Sequence, residues 1–229
     1  MDYQSLVQEL EGLGTAQNRK VYARHGVGEN QYGISFSNLR KLQKQIKRDH
    51  GLAQQLWASG NHDCRVLATM IADPSQADDH MLESWVNVLD NYVITDAFSG
   101  LAVQTALARG KAESWCRSDD EWTGRTGWHL VAHLAMKDSQ LPNSYFEQCL
   151  ETIEREIHSR KNRVRDAMNN ALIAIGIRNS ELENLALAAA QRIGKVEVDH
   201  GETGCKTPDA AEYIRKARNR RNQKSARTS

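Results

Sequence analysis

Proline is scarce in this 229-residue chain, and the helical spacing of its apolar residues is nearly continuous. Only Pro74, Pro142 and Pro208 occur, each where the apolar pattern breaks. Elsewhere apolar residues recur at every third or fourth position, as on one face of a helix. No segment alternates with the period of two that a half-buried strand requires. The sequence therefore predicts an all-α fold.

The apolar periodicity predicts a series of amphipathic or buried helices. Leu39, Leu42 and Ile46 form an apolar stripe within a basic segment, whereas residues 64–72 are apolar on nearly every side, which indicates a buried helix. The predicted helices are Ser5–Glu11, Ser37–Lys47, Cys64–Ala72, Met81–Val88, Val93–Leu107, Trp122–Met136, Tyr145–Ile157, Arg163–Ile175, Glu181–Ile193 and Asp209–Arg218.

Three segments share one layout, in which a polar start is followed by an arginine and then by an apolar helix. Their arginines are Arg65, Arg125 and Arg165, and the helix at 93–107 falls between the first two. This spacing gives about four helix pairs of roughly 30–40 residues, the period of α-solenoids. It favours an α-α superhelix of HEAT or armadillo-like repeats, with a plain helical bundle as the alternative. We expect one domain over residues 1–218 and a flexible basic tail at 219–229.

Basic residues are concentrated at the C-terminal end, although the net charge of the chain is only +1. From Lys206 onward there are eight basic residues and two acidic ones, so the part of the chain before Lys206 is mildly acidic. The tail is expected either to contact a polyanion or to be a solvated segment. Arg65, Arg125, Arg163 and Arg165, near the starts of repeat helices, would add cations for a phosphate backbone unless each pairs with a neighbouring acid.

The cysteines and the N-terminus indicate a cytoplasmic protein. The four cysteines are widely spaced without a CxxC pair, which is typical of reduced thiols. The N-terminus lacks the basic and apolar regions of a signal peptide, and no apolar run approaches the roughly 20 residues of a membrane span. We expect a cytoplasmic location, associated with the nucleoid if the source is bacterial, and no membrane partner.

Several stretches, in order, resemble the AlkD-like DNA alkylation repair family. They include the glycine-containing turn at Tyr32 with the basic helix after it, Tyr92 followed four residues later by Asp96, the Trp-x-x-Arg at 122–125, and the segment 194–209. The resemblance spans roughly residues 30–218. It implies a curved HEAT-like stack that acts as a monomer on double-stranded DNA. The implied activity is hydrolysis of the N-glycosidic bond of cationic alkylated purines, such as N3-methyladenine and N7-methylguanine.

The same resemblance implies roles for individual residues. Asp96 takes the place of the catalytic carboxylate, Tyr92 that of an aromatic beside the lesion, and Arg125 that of a guanidinium on the DNA backbone. A fixed carboxylate stabilises the positive charge that develops on the deoxyribose, and an aromatic face attracts cations and excludes water. A four-residue separation puts Tyr92 and Asp96 on the same helix face.

One position departs from the family pattern. Asn170 stands where family members carry a second aromatic, and an amide has no π face. Trp128 is a candidate substitute for substrate binding, although so large a residue is more typical of a core. The departure keeps a second function open: a non-catalytic HEAT-like scaffold that binds nucleic acid or a protein on its concave face.

Two groups of potential metal ligands are present, and neither is a complete motif. His129 and His133 share a helix face but lack the glutamate of His-Glu-x-x-His. The loop from Asp199 to Cys205 groups several ligand types, but a turn before a capped helix also explains it. We therefore expect no metal and no cofactor. Asp166, beside Arg165, is interpreted as a first-turn acid rather than a catalytic one.

Overall fold

A computed structural model describes residues 2–228, with side chains described to Arg220. Every regular element in this range is an α-helix, which confirms the predicted all-α class. Among the described helices, none is long and apolar enough to cross a membrane. The helices are α1 Tyr3–Leu13, α2 Ala16–Arg24, α3 Phe36–Ile46, α4 His50–Ala58, α5 His62–Ile71, α6 Asp79–Val86, α7 Tyr92–Ala102, α8 Ala108–Trp115, α9 Glu121–Lys137, α10 Asn143–Glu156, α11 Asn162–Arg178, α12 Ser180–Ile193 and α13 Ala210–Thr228.

The chain divides into two compact units. Unit 1 comprises residues 1–108 with 201–203, and unit 2 comprises residues 109–200 with 204–229. The single domain over 1–218 stays a prediction. Helix α13 continues to Thr228, so the backbone of the predicted tail is helical over its described part, while Ser229 and the side chains after Arg220 lie outside the described residues.

Unit 1 is built around α5, which packs against α3, α4 and α7. Helix α5 carries apolar residues on nearly every side, and this explains its burial. Cys64, Leu67 and Ala68 are fully enclosed. Beside α5, the rings of Trp57 and Trp85 stack with centroids 4.0 Å apart. This aromatic layer fixes α4 and α6 against the same core.

A buried carboxylate joins α5 to the turn before α3. Asp63, at the start of α5, accepts hydrogen bonds from the backbone amides of Tyr32, Gly33 and Ile34 at 2.7, 3.0 and 2.9 Å. Gly33 has a φ of +79°, and a Cβ there would lie 2.7 Å from the carbonyl oxygen of Thr15. The turn therefore needs glycine for both its conformation and its close approach.

Unit 2 is built on the pairing of α9 with α11, while α10, α12 and α13 pack against them. Gly127 makes a very close approach possible, because a Cβ at this position would lie 2.3 Å from the backbone nitrogen of Cys116. The aliphatic core of this unit includes Val131, Leu172 and Ile175. Between α12 and α13, residues 194–209 form no regular element.

Candidate functional site

Tyr92 and Asp96 lie in the first turns of α7. The side chain of Asn91 caps this helix by accepting hydrogen bonds from the amides of Val93 and Ile94 at 3.0 and 3.2 Å. Asn91 is itself buried and donates to Asp90 at 2.7 Å, so the start of α7 is firmly placed. Asp96 is exposed and Tyr92 is half-buried. The two predicted residues are therefore neighbours on one helix, with the carboxylate facing solvent.

His25 also belongs to this part of unit 1, and no pattern in the sequence predicted it. Its Nδ1 atom is in hydrogen-bond contact with the Tyr92 hydroxyl, and the two rings meet edge to face with centroids 5.6 Å apart. Gly26, with a φ of +80°, turns the chain directly after His25. The histidine thus orients the tyrosine ring beside Asp96.

Arg65 lies against the backbone of unit 1. Its guanidinium sits 5.3 Å from the ring centroid of Trp57, and its Nε and Nη1 atoms donate weakly to the carbonyls of Trp57 and Val88 at 3.4 and 3.5 Å. It lines a small cavity of about 50 Å³ that also includes Asn91 and Ile94. These contacts place Arg65 near the start of α7. Its role in binding DNA phosphates stays a prediction.

Arg125 is enclosed rather than exposed. Only 3% of the residue is accessible, and its Nη1 atom donates to the Asp166 carboxylate at 2.7 Å and to the carbonyl of Arg163 at 3.2 Å. The guanidinium therefore forms an ion pair between α9 and α11, and its contact with the DNA backbone stays a prediction. Asp166, interpreted above as a first-turn acid, is the partner that holds this guanidinium.

His129 lies one turn after Arg125 on α9. Burial lowers the pKa of His129 well below its ordinary value, and the charges of Arg125 and His133 lower it further while Asp166 opposes them. The imidazole is therefore neutral at pH 7. Among the described residues, no three His, Cys, Asp or Glu side chains converge in the way a metal site requires.

Trp128 belongs to the core of unit 2, and its role in substrate binding stays a prediction. Only 1% of the residue is exposed, and Trp128 lines a cavity together with residues of α8, α9 and α10. A ring so enclosed offers little surface on which a base could stack. Its size and apolar character, rather than any special position, account for this burial.

The three remaining predicted residues lie on α11. Asn170 and Arg163 are half-buried, and the backbone amide of Arg163 donates to Glu121 at 2.6 Å. Arg165 is also half-buried, and its Nε atom is enclosed without a hydrogen-bond partner. The structure thus brings Arg125 and Arg163 into contact, and Arg165 takes no part in this hydrogen bond.

A basic segment of unit 1 carries a cluster of exposed positive charge, which was not among the predicted DNA contacts. Between Arg19 and Arg48 there are eight basic residues and one acid, Glu29. All eight are exposed and form no ion pair with a described acidic side chain: Arg19, Lys20, Arg24, Arg40, Lys41, Lys44, Lys47 and Arg48. The net charge of +1 for the whole chain does not reveal this clustering.

Comparisons with known proteins identify the family of this chain. A family model described as DNA alkylation repair enzyme matches residues 6–214. The uncharacterized proteins Lin0241 of Listeria innocua and Lmo0209 of Listeria monocytogenes are each 30% identical, over 96% and 95% of this chain and 99% and 98% of their own lengths.

A solved structure is also similar, with a TM-score of 0.88 and 30% identity over 96% of this chain and 95% of that one. It is described as representing a new family of proteins related to the HEAT-like repeat DNA glycosylases with affinity for branched DNA structures. This chain has the same HEAT-like repeat fold, and it belongs to the DNA alkylation repair enzyme family.

Proposed function

We propose that this protein binds double-stranded DNA and hydrolyses the N-glycosidic bond of purines made cationic by alkylation. The observation that carries the proposal is the exposed carboxylate of Asp96, one helical turn after Tyr92. The Asn91 cap and the His25 contact hold this pair in place. A carboxylate so fixed can act on a nucleotide without rearrangement of the helix.

The chemistry needs little beyond such a carboxylate. Alkylation has already made the base a good leaving group, so the barrier lies in the positive charge that develops on the deoxyribose. Asp96 would stabilise that charge and orient the attacking water, while Tyr92 would offer an aromatic face to the cationic lesion. His25 would keep the tyrosine ring in position through its hydroxyl.

The basic segment of unit 1 supports binding to a phosphate backbone. On α3, Arg40, Lys41 and Lys44 follow the spacing that places residues on one helix face, opposite the buried Leu39 and Leu42, and Lys47 follows as the C-cap of the helix. Without acidic partners, these cations repel one another until a polyanion neutralises them. DNA binding through such contacts releases counterions and is therefore strongly dependent on salt.

A second candidate function is binding of DNA, branched structures included, without catalysis. Three observations favour it: Arg125 is held by Asp166, Trp128 is buried, and Asn170 offers no ring for stacking. The similar structure described as having affinity for branched DNA adds to it. In this alternative Asp96 would have no chemical role.

The deciding experiment measures the release of methylated purines from methylated duplex DNA under single-turnover conditions. We expect release by the wild type and a loss of about a hundredfold or more in Asp96→Asn, because the stabilising charge is gone. Asp79→Asn, which neutralises an exposed acid on α6, is the matched control and should keep the wild-type rate.

DNA binding and base release, measured on the same proteins, distinguish the two candidate functions. If the wild type binds duplex and three-way-junction DNA but releases no base, the non-catalytic function is correct. If Asp96→Asn releases bases as fast as the wild type, the carboxylate assignment is wrong. If the wild type binds neither DNA, both candidates fail.

A further inference from the structure

Phe36, the first residue of α3, remains exposed although it is large and apolar. Its exposed fraction is 36%, whereas the other two phenylalanines of the chain, Phe98 and Phe146, are fully enclosed. In the described part of the chain no other aromatic ring contacts Phe36, and the proposed chemistry of α7 does not use it. A single exposed apolar residue is ordinary on a protein surface, so the surroundings of this ring decide what it can do.

Two cations follow Phe36 along the same row of α3. Arg40 and Lys44 each come four residues after the previous member of the row, the spacing that places side chains on one helix face. Both cations are exposed, and neither pairs with a described acid. Leu39 and Leu42 hold a different face of the helix against the core. The exposed ring therefore stands at the start of a positively charged row.

Helix α2 brings a further cation to the start of α3. A Cβ at Gly33 would lie 2.6 Å from the Cγ atom of Arg19, so the aliphatic part of Arg19 packs directly against the turn before Phe36. Arg19 is exposed and pairs with no acid among the described residues. The segment around the ring thus carries positive charge from two helices.

The backbone that carries Phe36 is held on both sides. Before it, the Tyr22 hydroxyl donates to the carbonyl of Ile34 at 2.5 Å, and Asp63 accepts from three amides of the same turn. Next to it, the Ser35 hydroxyl caps α3 by accepting from the amide of Asn38 at 3.3 Å. A ring on a fixed backbone has only two side-chain torsions to lose, so a contact with a ligand costs little conformational entropy.

An aromatic ring within a row of cations has a specific use on DNA. The cations can bind phosphates of any DNA, but an intact duplex keeps the faces of its bases inside the stack, where Phe36 has nothing to contact. An unpaired base exposes its face, and stacking of such bases on aromatic side chains beside a cationic track is how single-stranded nucleic acid is bound.

We propose that Phe36 stacks on an unpaired DNA base while Arg40 and Lys44 bind phosphates of the same strand. The row is about 12 Å long at about 1.5 Å per residue, and a strand advances about 3.4 Å per nucleotide, so three or four nucleotides span it. This inference rests on the DNA binding proposed above, but it does not require base excision or Asp96.

The test compares two bulged duplexes of identical sequence and phosphate number. One bulge contains two unpaired adenines, and the other contains two abasic sites, which keep the backbone and remove the bases. We expect the wild type to bind the adenine bulge about tenfold more tightly, the difference that one base stacked on an aromatic ring gives. Phe36→Leu should remove this preference because the aromatic face is gone, and Phe36→Trp should retain it.

Arg40→Gln is the control for phosphate contacts, and it should weaken binding of both DNAs by the same factor and leave the preference intact. A wild type that binds both bulges equally, or a Phe36→Leu variant that keeps the preference, would overturn the stacking assignment and leave the proposed DNA binding standing. Equal weakening of both DNAs by Phe36→Leu would also overturn it, because the ring would then act only on the structure of α3. A wild type that binds neither DNA would refute the proposed function and this inference together.

Discussion

At the scale of single residues, Asp63 shows how one side chain can set the path of a whole segment. Three consecutive amides converge on its carboxylate, which is completely enclosed. The sequence shows only an acid in the first turn of a helix, which the helix dipole explains equally well. The contact partners are about 30 positions earlier in the chain, so local spacing carries no information about them.

Asp63→Asn should lower the free energy of unfolding by about 2 kcal/mol or more, because charge-assisted hydrogen bonds are lost and one amide now faces an NH₂ group. Urea denaturation measures this change. Asp73→Asn is the control, since Asp73 bonds only Ser75 and Gln76 on the surface, and its effect should stay below about 1 kcal/mol. An equal decrease in the free energy of unfolding for the two variants would show that the buried Asp63 contacts stabilise the protein no more than surface hydrogen bonds do.

Two enclosed histidines should make the stability of the protein dependent on pH. Burial lowers the pKa of His62 and of His129 below the ordinary 6.5. As the pH falls below 6.5 the unfolded chain takes up these protons first, so stability present at neutral pH is lost, by up to about 1.4 kcal/mol per pH unit and histidine.

Unfolding free energies at pH 7.5 and 5.5 check this dependence. His129→Asn should reduce the difference between the two pH values, whereas His80→Asn, at an exposed position, should not. A wild-type protein equally stable at both pH values would contradict the neutral state assigned to these histidines.

At the scale of elements, apolar spacing predicted the ten longer or better-patterned helices. It missed α2, which has no buried residue at all, and α8, which is short and contains Gly110. It also missed α4, a short helix whose apolar residues Leu52, Leu56 and Trp57 are nonetheless buried. The helix predicted over 93–107 ends earlier, at Ala102, where Thr105 turns back to bond its carbonyl.

Part of the candidate site was also accessible to sequence reasoning. The pair Tyr92 and Asp96 depends on spacing within one helix, which a sequence displays directly. The enclosure of Arg125 by Asp166 and the contact of His25 with Tyr92 join residues 41 and 67 positions apart. Such pairs depend on how helices pack, and no local pattern specifies them.

Gly127→Ala should destabilise unit 2 by about 1–3 kcal/mol, because the new methyl group would overlap the backbone at Cys116 and push α8 away from α9. Gly110→Ala is the matched control. Nothing lies within 4 Å of a Cβ there, so the change should stabilise α8 by a few tenths of a kcal/mol to about 1 kcal/mol. Thermal unfolding of both variants tests the close approach. Destabilisation by neither variant would disprove it.

At the scale of the whole molecule, the distribution of charge matters more than its total. The C-terminal tail was predicted either to contact a polyanion or to be a solvated segment, because eight basic residues follow residue 205. The structure adds an equally basic stretch from Arg19 to Arg48, whose exposed cations lack acidic partners among the described residues. A net charge near zero is thus compatible with a strongly cationic surface on unit 1.

The most direct test of the account is the salt dependence of duplex DNA affinity. It compares the wild type with a variant carrying Arg40→Gln, Lys41→Gln and Lys44→Gln. The control variant carries Arg109→Gln, Arg155→Gln and Lys195→Gln, which removes three cations that are already paired with acids. We predict a steep log-linear loss of affinity with salt for the wild type and the control, and a slope smaller by about two to three for the α3 variant. A DNA affinity that does not change with salt concentration, or equal salt slopes in all three proteins, would contradict the claim that the basic surface of α3 binds DNA.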